Sequence, residues 1–304
     1  MGQRKVVVSL LSEQQEFQRM QAADARVAAE RAGLAIDVVF ADNNAVLQIH
    51  QLFRYVHAPQ AERPAAIVVE TVTGEGLERV ARNAIKAGIG WVLINRSVSY
   101  LDALRQERAD LPIGVVSVDN REAGRIQGRQ LKALLPRGGS VLYLQGPADT
   151  AAAIDRLSGA QETLDDGGIE LRLLNGDWTA DGGEKAVTGW LRLKTSEGFR
   201  PAVVTAQNDE MARGARRALH AQRPDWKDLL YTGCDGLPEG GQKLVRAGEL
   251  AATIVTPPPA GPAVGLVARA LAGERVEREV NLPPRSYPSE GDLRPAIAGR
   301  RAKP

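Results

Sequence analysis

The fold class this sequence predicts is α/β with parallel sheets in two lobes, and three observations predict it. Short apolar runs alternate with amphipathic segments from end to end, the pattern of strands joined by crossover helices. A chain of 304 residues exceeds the usual size of a single hydrophobic core, so two domains are expected. The strand-like runs also fall into two groups, with a fresh start after Val118.

In the first group, strands are read at Val6–Leu11, Ile36–Ala41, Ala66–Glu70, Trp91–Asn95 and Ile113–Val118. The spacing of Phe17, Met20, Ala23, Val27 and Ala28 predicts the buried side of a first helix that ends at Gly33. Val46, Ile49, Leu52 and Phe53 do the same for a second, about Asn44–Val56. The alternation restarts with a helix at about Arg121–Leu135, a strand at Val141–Leu144, a helix from about Thr150, a strand at Ile169–Leu174 and a helix at about Gly183–Leu193. An apolar run, Ala202–Ala206, then breaks into the polar corner Gln207-Asn208-Asp209-Glu210. Met211, Ala215, Ala218 and Leu219 recur beyond it at helical spacing, with two acids in the first turn where the macrodipole favours them. Strands follow at Leu230–Thr232 and Ala251–Val255. Pro257-Pro258-Pro259 forbid continuing the sheet, and a helix at about Gly261–Leu271 comes next. The chain from Arg285 onward is rich in Pro, Gly and charge, and the last ~15 residues are expected to form a flexible tail.

Hydrophobic content of 43% and charged content of 25% are those of a soluble globular protein, and a net charge of +2 leaves no footprint for nucleic acid. No apolar run is long enough to span a bilayer. Val6–Leu11 is too short for the apolar core of a signal peptide, which leaves two expectations: a leader already removed, or a cytoplasmic protein. The single cysteine, Cys234, allows no disulfide within the chain. His50, His57 and His220 lie in helical segments, and no spacing of His, Cys or Glu suggests a metal site or an activated nucleophile, so neither metal, cofactor nor catalysis is expected.

The polar corner at Asn208 sits where a parallel sheet binds ligands, at the carboxyl end of a strand, although a helix cap explains the same residue. Ala-Gln-Asn-Asp-Glu-Met-Ala at 206–212, with Gly233-Cys234-Asp235-Gly236 and Leu250-Ala251-Ala252-Thr253-Ile254 after it, resembles the sugar-binding proteins of bacterial ABC transporters. Within that group it is similar to the ribose- and galactose-binding type, whose fold, the type I periplasmic binding protein, also serves as the effector domain of lactose-repressor-like proteins. The resemblance runs from about Lys5 to about Val280.

The resemblance implies two Rossmann-like α/β/α lobes joined by a three-stranded hinge. Its crossings fall near Ser117–Asp119, Thr253–Thr256 and Leu282–Arg285. An amino-terminal lobe would hold residues 1–117 and 257–283, and a carboxy-terminal lobe residues 118–256 and 284–304. It further implies a monomeric, non-enzymatic, solute-binding component that closes on one monosaccharide, delivers it to ABC transporter membrane subunits and works in the periplasm. A cytoplasmic sugar sensor with the same pocket is the alternative. A DNA-binding repressor is set aside, because the first strand begins within about five residues of the start and leaves no room for a helix-turn-helix.

A sugar needs donors and acceptors for its hydroxyls and flat apolar plates for its ring faces. Only 4% of the chain is aromatic, so Phe17 and Trp178, which match the family's stacking positions, stand out. A core place in the first helix explains Phe17 equally well. Asn95 and Arg96 match a ligand-binding pair at the end of a strand; a solvated surface arginine is the alternative. Asp235 matches a ligand-binding carboxylate and could also cap a helix. Gln15 and Thr256 stand at the edge of the site. Two departures bear on ribose itself: Ile154 occupies the position of a sugar-gripping arginine, with Arg156 matching a neighbouring one, and Thr256 replaces an amide. Asp149, in the loop after Gln145-Gly146-Pro147, is the candidate replacement acceptor.

Overall fold

The computed structural model describes residues 3–96, 98–165, 168–226 and 228–295. Along the chain run β1 (Lys5–Leu10), α1 (Glu16–Arg31), β2 (Ala35–Phe40), α2 (Ala45–Val56), β3 (Ala66–Val69), α3 (Glu78–Lys86), β4 (Gly90–Ile94), α4 (Leu101–Glu107) and β5 (Ile113–Val118). Then come α5 (Asn120–Leu134), β6 (Gly139–Gln145), α6 (Ala151–Leu164), β7 (Ile169–Asn175), α7 (Ala180–Leu191), β8 (Val203–Ala206), α8 (Asp209–Gln222), β9 (Leu230–Thr232), α9 (Gly241–Arg246), β10 (Thr253–Val255), α10 (Ala260–Leu271), β11 (Glu279–Leu282) and β12 (Arg285–Tyr287). The chain forms two compact units, one of Met1–Val118 with Pro258–Leu282 and one of Asp119–Pro257 with Pro283–Pro304. The expected tail lies, from residue 296 on, outside the described residues.

In the first unit a six-stranded sheet runs in the order β11-β5-β4-β3-β1-β2 with every pair parallel. Side chains alternate across a strand, so the sheet feeds two cores. Val7, Ile67, Val69, Trp91 and Leu93 pack with Leu52, Val80, Ile85 and Leu104 from α2, α3 and α4. On the opposite face, Val6, Val8, Leu10, Val68, Val92 and Ile94 pack with Ala22, Ala25, Val264 and Val267 from α1 and α10. Both faces being buried explains why these strands read as continuous apolar runs.

The second unit has a four-stranded parallel sheet, β7-β6-β8-β9, and a separate antiparallel pair, β10-β12. Leu142, Leu144, Val204 and Ala206 pack with Val187, Trp190, Met211 and Ala215 from α7 and α8. Val141 and Val203 pack with Leu131, Leu134 and Leu164 from α5 and α6.

Three expectations are corrected. The buried residues of α1 are Gln18, Gln21, Ala22, Ala25 and Ala29, whereas Val27, expected inside, is 43% exposed. The inward stripe is polar because Gln18 and Gln21 both bond a buried carboxylate, and small because alanines let α10 approach. Val46, also expected inside, is 62% exposed in the first turn of α2, where Gln48 takes the inward place. Finally, β11 and β12 are strands that the sequence pattern did not mark. β11 is a half-exposed edge strand, established by its pairing with β5 some 160 residues earlier in the chain (Glu279↔Val115 to Leu282↔Val118).

Candidate functional site

The candidate residues of the first unit gather at the carboxyl ends of its strands. Gln15 is the N-cap residue of α1 and makes no side-chain capping bond. Phe17, in the first turn, is half-buried and belongs to neither core of its unit. Asn95 ends β4 with φ +59, and Arg96 Nη1 donates to the Val72 carbonyl at 3.1 Å.

Beneath them lies a buried polar network built around Glu70, which is 5% exposed at the end of β3. Gln18 Nε2 and Gln21 Nε2 both donate to Glu70 Oε2, at 2.9 and 2.7 Å. Gln18 Oε1 accepts from the Leu11 amide, which fixes the loop after β1. Gln48 Nε2 donates to the Glu70 carbonyl and to Ser9 Oγ, while its Oε1 accepts from the Val72 amide. The same Val72 peptide segment therefore holds both Gln48 and Arg96, so Glu70 and three glutamines set the backbone on which the candidate side chains stand.

In the second unit the candidates are wired to one another. Asn208 takes the N-cap of α8, its Oδ1 accepting from the Met211 amide at 2.9 Å and its Nδ2 donating to the Trp178 carbonyl at 2.9 Å. The helix-cap reading of Asn208 therefore describes the structure, and the same side chain also anchors Trp178. Trp178 holds φ +69, a conformation costly for a bulky residue. Its indole rests against Gly146: a Cβ at that position would stand 2.1 Å from the ring, so only glycine admits it. Asp235, at φ +106, has its carbonyl bonded by the Thr256 amide at 3.1 Å and hydroxyl at 3.4 Å. Thr256 is accordingly buried, at 1% exposure. Asp149 is exposed in the loop after β6.

The non-glycine residues with positive φ among the described residues are Asp42, Asn43, Asn95, Trp178 and Asp235. The last three are candidates named from sequence, and backbone held in this region persists only where surrounding contacts over-determine it.

Arg156 and Glu70 were not among the candidates. Ile154 is 51% exposed, while Arg156, two residues on in α6, is 8% exposed. Its Nε donates to Asn120 Oδ1 at 2.9 Å and its Nη1 to the Gln207 carbonyl at 2.5 Å. The guanidinium also stands 4.0 Å from Asp235 Oδ1 and 5.7 Å from the Trp178 ring. An arginine at an inward position of a helix, and an acid directly after the apolar strand Ala-Ile-Val-Val, are the sequence signals that mark these two.

Next to Asp235, the carboxyl of Asp209 is buried; its oxygens accept from Thr253 Oγ1 at 2.6 Å and the Gly236 amide at 2.8 Å. Burial, and secondly the charge of Asp235, raise its pKa well above the ordinary carboxylate value. Burial likewise pushes the Cys234 thiol up to about 12, which deprives it of nucleophilic character at neutral pH. Among the described residues no cluster of His, Cys, Asp and Glu could hold a metal ion.

A periplasmic binding protein domain is matched over residues 6–275. The putative rhizopine-binding protein of Rhizobium meliloti is 27% identical over 258 residues, 83% of this chain and 79% of that protein. The ribose import binding protein of Salmonella typhimurium is 35% identical over 164 residues, and that match spans 53% of each protein, about half the length of the relative. Among solved structures, the periplasmic binding protein component of the arabinose ABC transporter from Shewanella sp. ANA-3 superposes with a TM-score of 0.81 at 23% identity, covering 94% of this chain and 93% of that one. It shares the fold of two lobes with parallel sheets. By the domain match over most of its length, the chain belongs to the periplasmic binding protein family.

Proposed function

We propose that this protein is a sugar-binding, solute-binding component of an ABC transporter, that its ligand is a monosaccharide, and that it works in the periplasm without making or breaking a bond. The observation that carries the reading is the ligand-side edge of the second unit. There the Trp178 indole rests on Gly146 with the Arg156 guanidinium 5.7 Å from its ring, Asp235 beside that guanidinium and Asn208 bonded to the Trp178 carbonyl. A flat apolar plate bordered by donors and acceptors matches the two surfaces of a sugar: C–H faces and a hydroxyl rim. Asn95 and Arg96 of the first unit would bond hydroxyls, with Phe17 as a second plate, Gln15 beside it and Asp149 at the rim of the second unit. The sugar relatives among the family support the ligand class.

A thermal-shift screen against monosaccharides tests this. A ligand at 100 times its Kd stabilises the folded state by about 2.7 kcal/mol, a shift that is readily measured. Asp235→Ala is expected to abolish the shift given by the hit at that concentration. Stabilisation by no sugar would overturn the function, and an undiminished shift in Asp235→Ala would overturn the site.

A further inference from the structure

We infer that Arg156 is the positioning residue of the second unit's ligand-facing wall, and that its charge, set against Asp235, makes that wall prefer uncharged polyols to amine-bearing ones. The inference rests on the sugar-binding reading above and deepens it. It starts from the exposed apolar residue at position 154: the cation of this wall comes instead from a side chain buried one turn into α6.

The geometry is that of a hub. Two nitrogens of the guanidinium are spent on fixed partners, Nε on Asn120 Oδ1 and Nη1 on the Gln207 carbonyl, which ties α6 to the start of α5 and to the β8–α8 corner. Gln207 is itself immobilised: its Oε1 accepts from the Gly146 amide at 2.9 Å, and its Nε2 donates to the Ala153 carbonyl at 2.9 Å and to the Tyr143 hydroxyl at 3.1 Å. The peptide on which the indole rests and the carbonyl that holds the guanidinium thus belong to one network. Held this way, the planar cation meets two candidate ligand contacts at once, the Trp178 ring at 5.7 Å and Asp235 Oδ1 at 4.0 Å. A cation within about 6 Å of an indole is attracted to its face, and a carboxylate at 4 Å is charge-compensated when both are largely removed from water. The side chains of Arg156 and Asp235 are 10% and 17% exposed, so the compensation is weakly screened.

Two consequences separate this role from plain structural support. Lysine cannot replace the residue, because a single ammonium on a flexible stem cannot bond Asn120 and Gln207 together while covering the ring. And without Arg156 the Asp235 carboxylate loses the positive charge that stands 4.0 Å from it, which favours a ligand that brings its own.

The test uses the full chain with Arg156→Lys and Arg156→Met, alongside Trp178→Phe. Trp91, Trp190 and Trp226 are buried, so the emission that Trp178→Phe removes reports on the half-buried indole. In ligand-free protein both Arg156 variants are expected to move that component to longer wavelength, as the ring loses its cover. For the sugar found by thermal shift, both variants are expected to weaken binding at least about tenfold. The ratio of affinities for the corresponding amino sugar over the neutral sugar is expected to rise in Arg156→Met. An unchanged Trp178 emission in Arg156→Lys, or an unchanged affinity ratio in Arg156→Met, overturns the inference even if the melting temperature falls. Should Arg156→Met fail to fold, Arg156→Gln, which also lacks the charge, carries the same two readouts. The emission arm needs no ligand, so it decides the positioning role even where no sugar binds and the functional reading fails.

Discussion

The candidate edges of the two units are ordered by different means. In the second unit the candidate side chains hold one another: Asn208 bonds the Trp178 carbonyl, Thr256 bonds the Asp235 carbonyl, and Arg156 faces both Trp178 and Asp235. In the first unit the bonds among the described residues lie one layer down, where Gln18, Gln21 and Gln48 converge on Glu70 and fix the loops after β1 and β3. The second unit's bonds run from one candidate to the backbone of the next, and the first unit's run from residues that are not themselves candidates. Substitutions in the second unit should therefore alter ligand affinity with modest losses of stability, and those beneath the edge of the first unit should do the reverse.

The largest expected effect is that of Glu70→Leu. The change leaves the amide donors of Gln18 and Gln21 buried and unsatisfied, and each such group costs about 1–3 kcal/mol, so the loss should be about 3 kcal/mol or more. Urea unfolding followed by far-ultraviolet circular dichroism measures it. A loss below about 1 kcal/mol would mean that water replaces the carboxylate and that the network does not order this edge.

Asn208 gives a smaller effect and sharpens the contrast, because its two bonds can be separated. Asn208→Ala loses the α8 cap and the anchor of Trp178, and should cost about 1–2 kcal/mol. Asn208→Asp keeps an acceptor for the Met211 amide next to a helix N-terminus, but offers no donor to the Trp178 carbonyl. Its stability should stay within about 0.5 kcal/mol of the parent, while affinity for the sugar falls at least tenfold. Equal affinity in Asn208→Asp and the parent would show that capping is the whole role of the residue.

How much of this was legible in the sequence differs between backbone and side chains. The strand-to-helix corners were readable, because buried parallel strands are short apolar runs and helices start at polar residues: Ala66–Val69 before Glu70, Val203–Ala206 before Asn208. What failed was deciding which way side chains face when the inward position is polar. Phe17, Met20 and Val27 outrank Gln18 and Gln21 in hydrophobicity, yet the glutamines point inward because an acid 49 to 52 residues away receives their bonds. Arg156 could be placed by resemblance and by its inward position, but its bonds could not be read for the same reason: its partners, Asn120 and Gln207, lie 36 and 51 residues off. β11 shows the limit from the side of pairing, since a half-exposed Glu-Val-Asn-Leu becomes a strand only where β5 supplies a ladder.

The smallest effect concerns Asp209, which burial and then the charge of Asp235 hold protonated above its ordinary value of 3.8. A carboxyl whose folded-state pKa is raised binds its proton more tightly when folded, so its contribution favours the native state at low pH and is lost as pH climbs from about 3.8 through the folded value. Asp209→Asn removes the titration at the cost of the bond from the Gly236 amide, a penalty that does not depend on pH. The stability of the parent minus that of the variant should therefore fall steadily as pH rises from about 4 toward neutrality, measured by urea midpoints in buffers of equal ionic strength. A difference that stayed level over that range would mean that the Thr253 and Gly236 donors outweigh burial and that Asp209 is ionised beside Asp235.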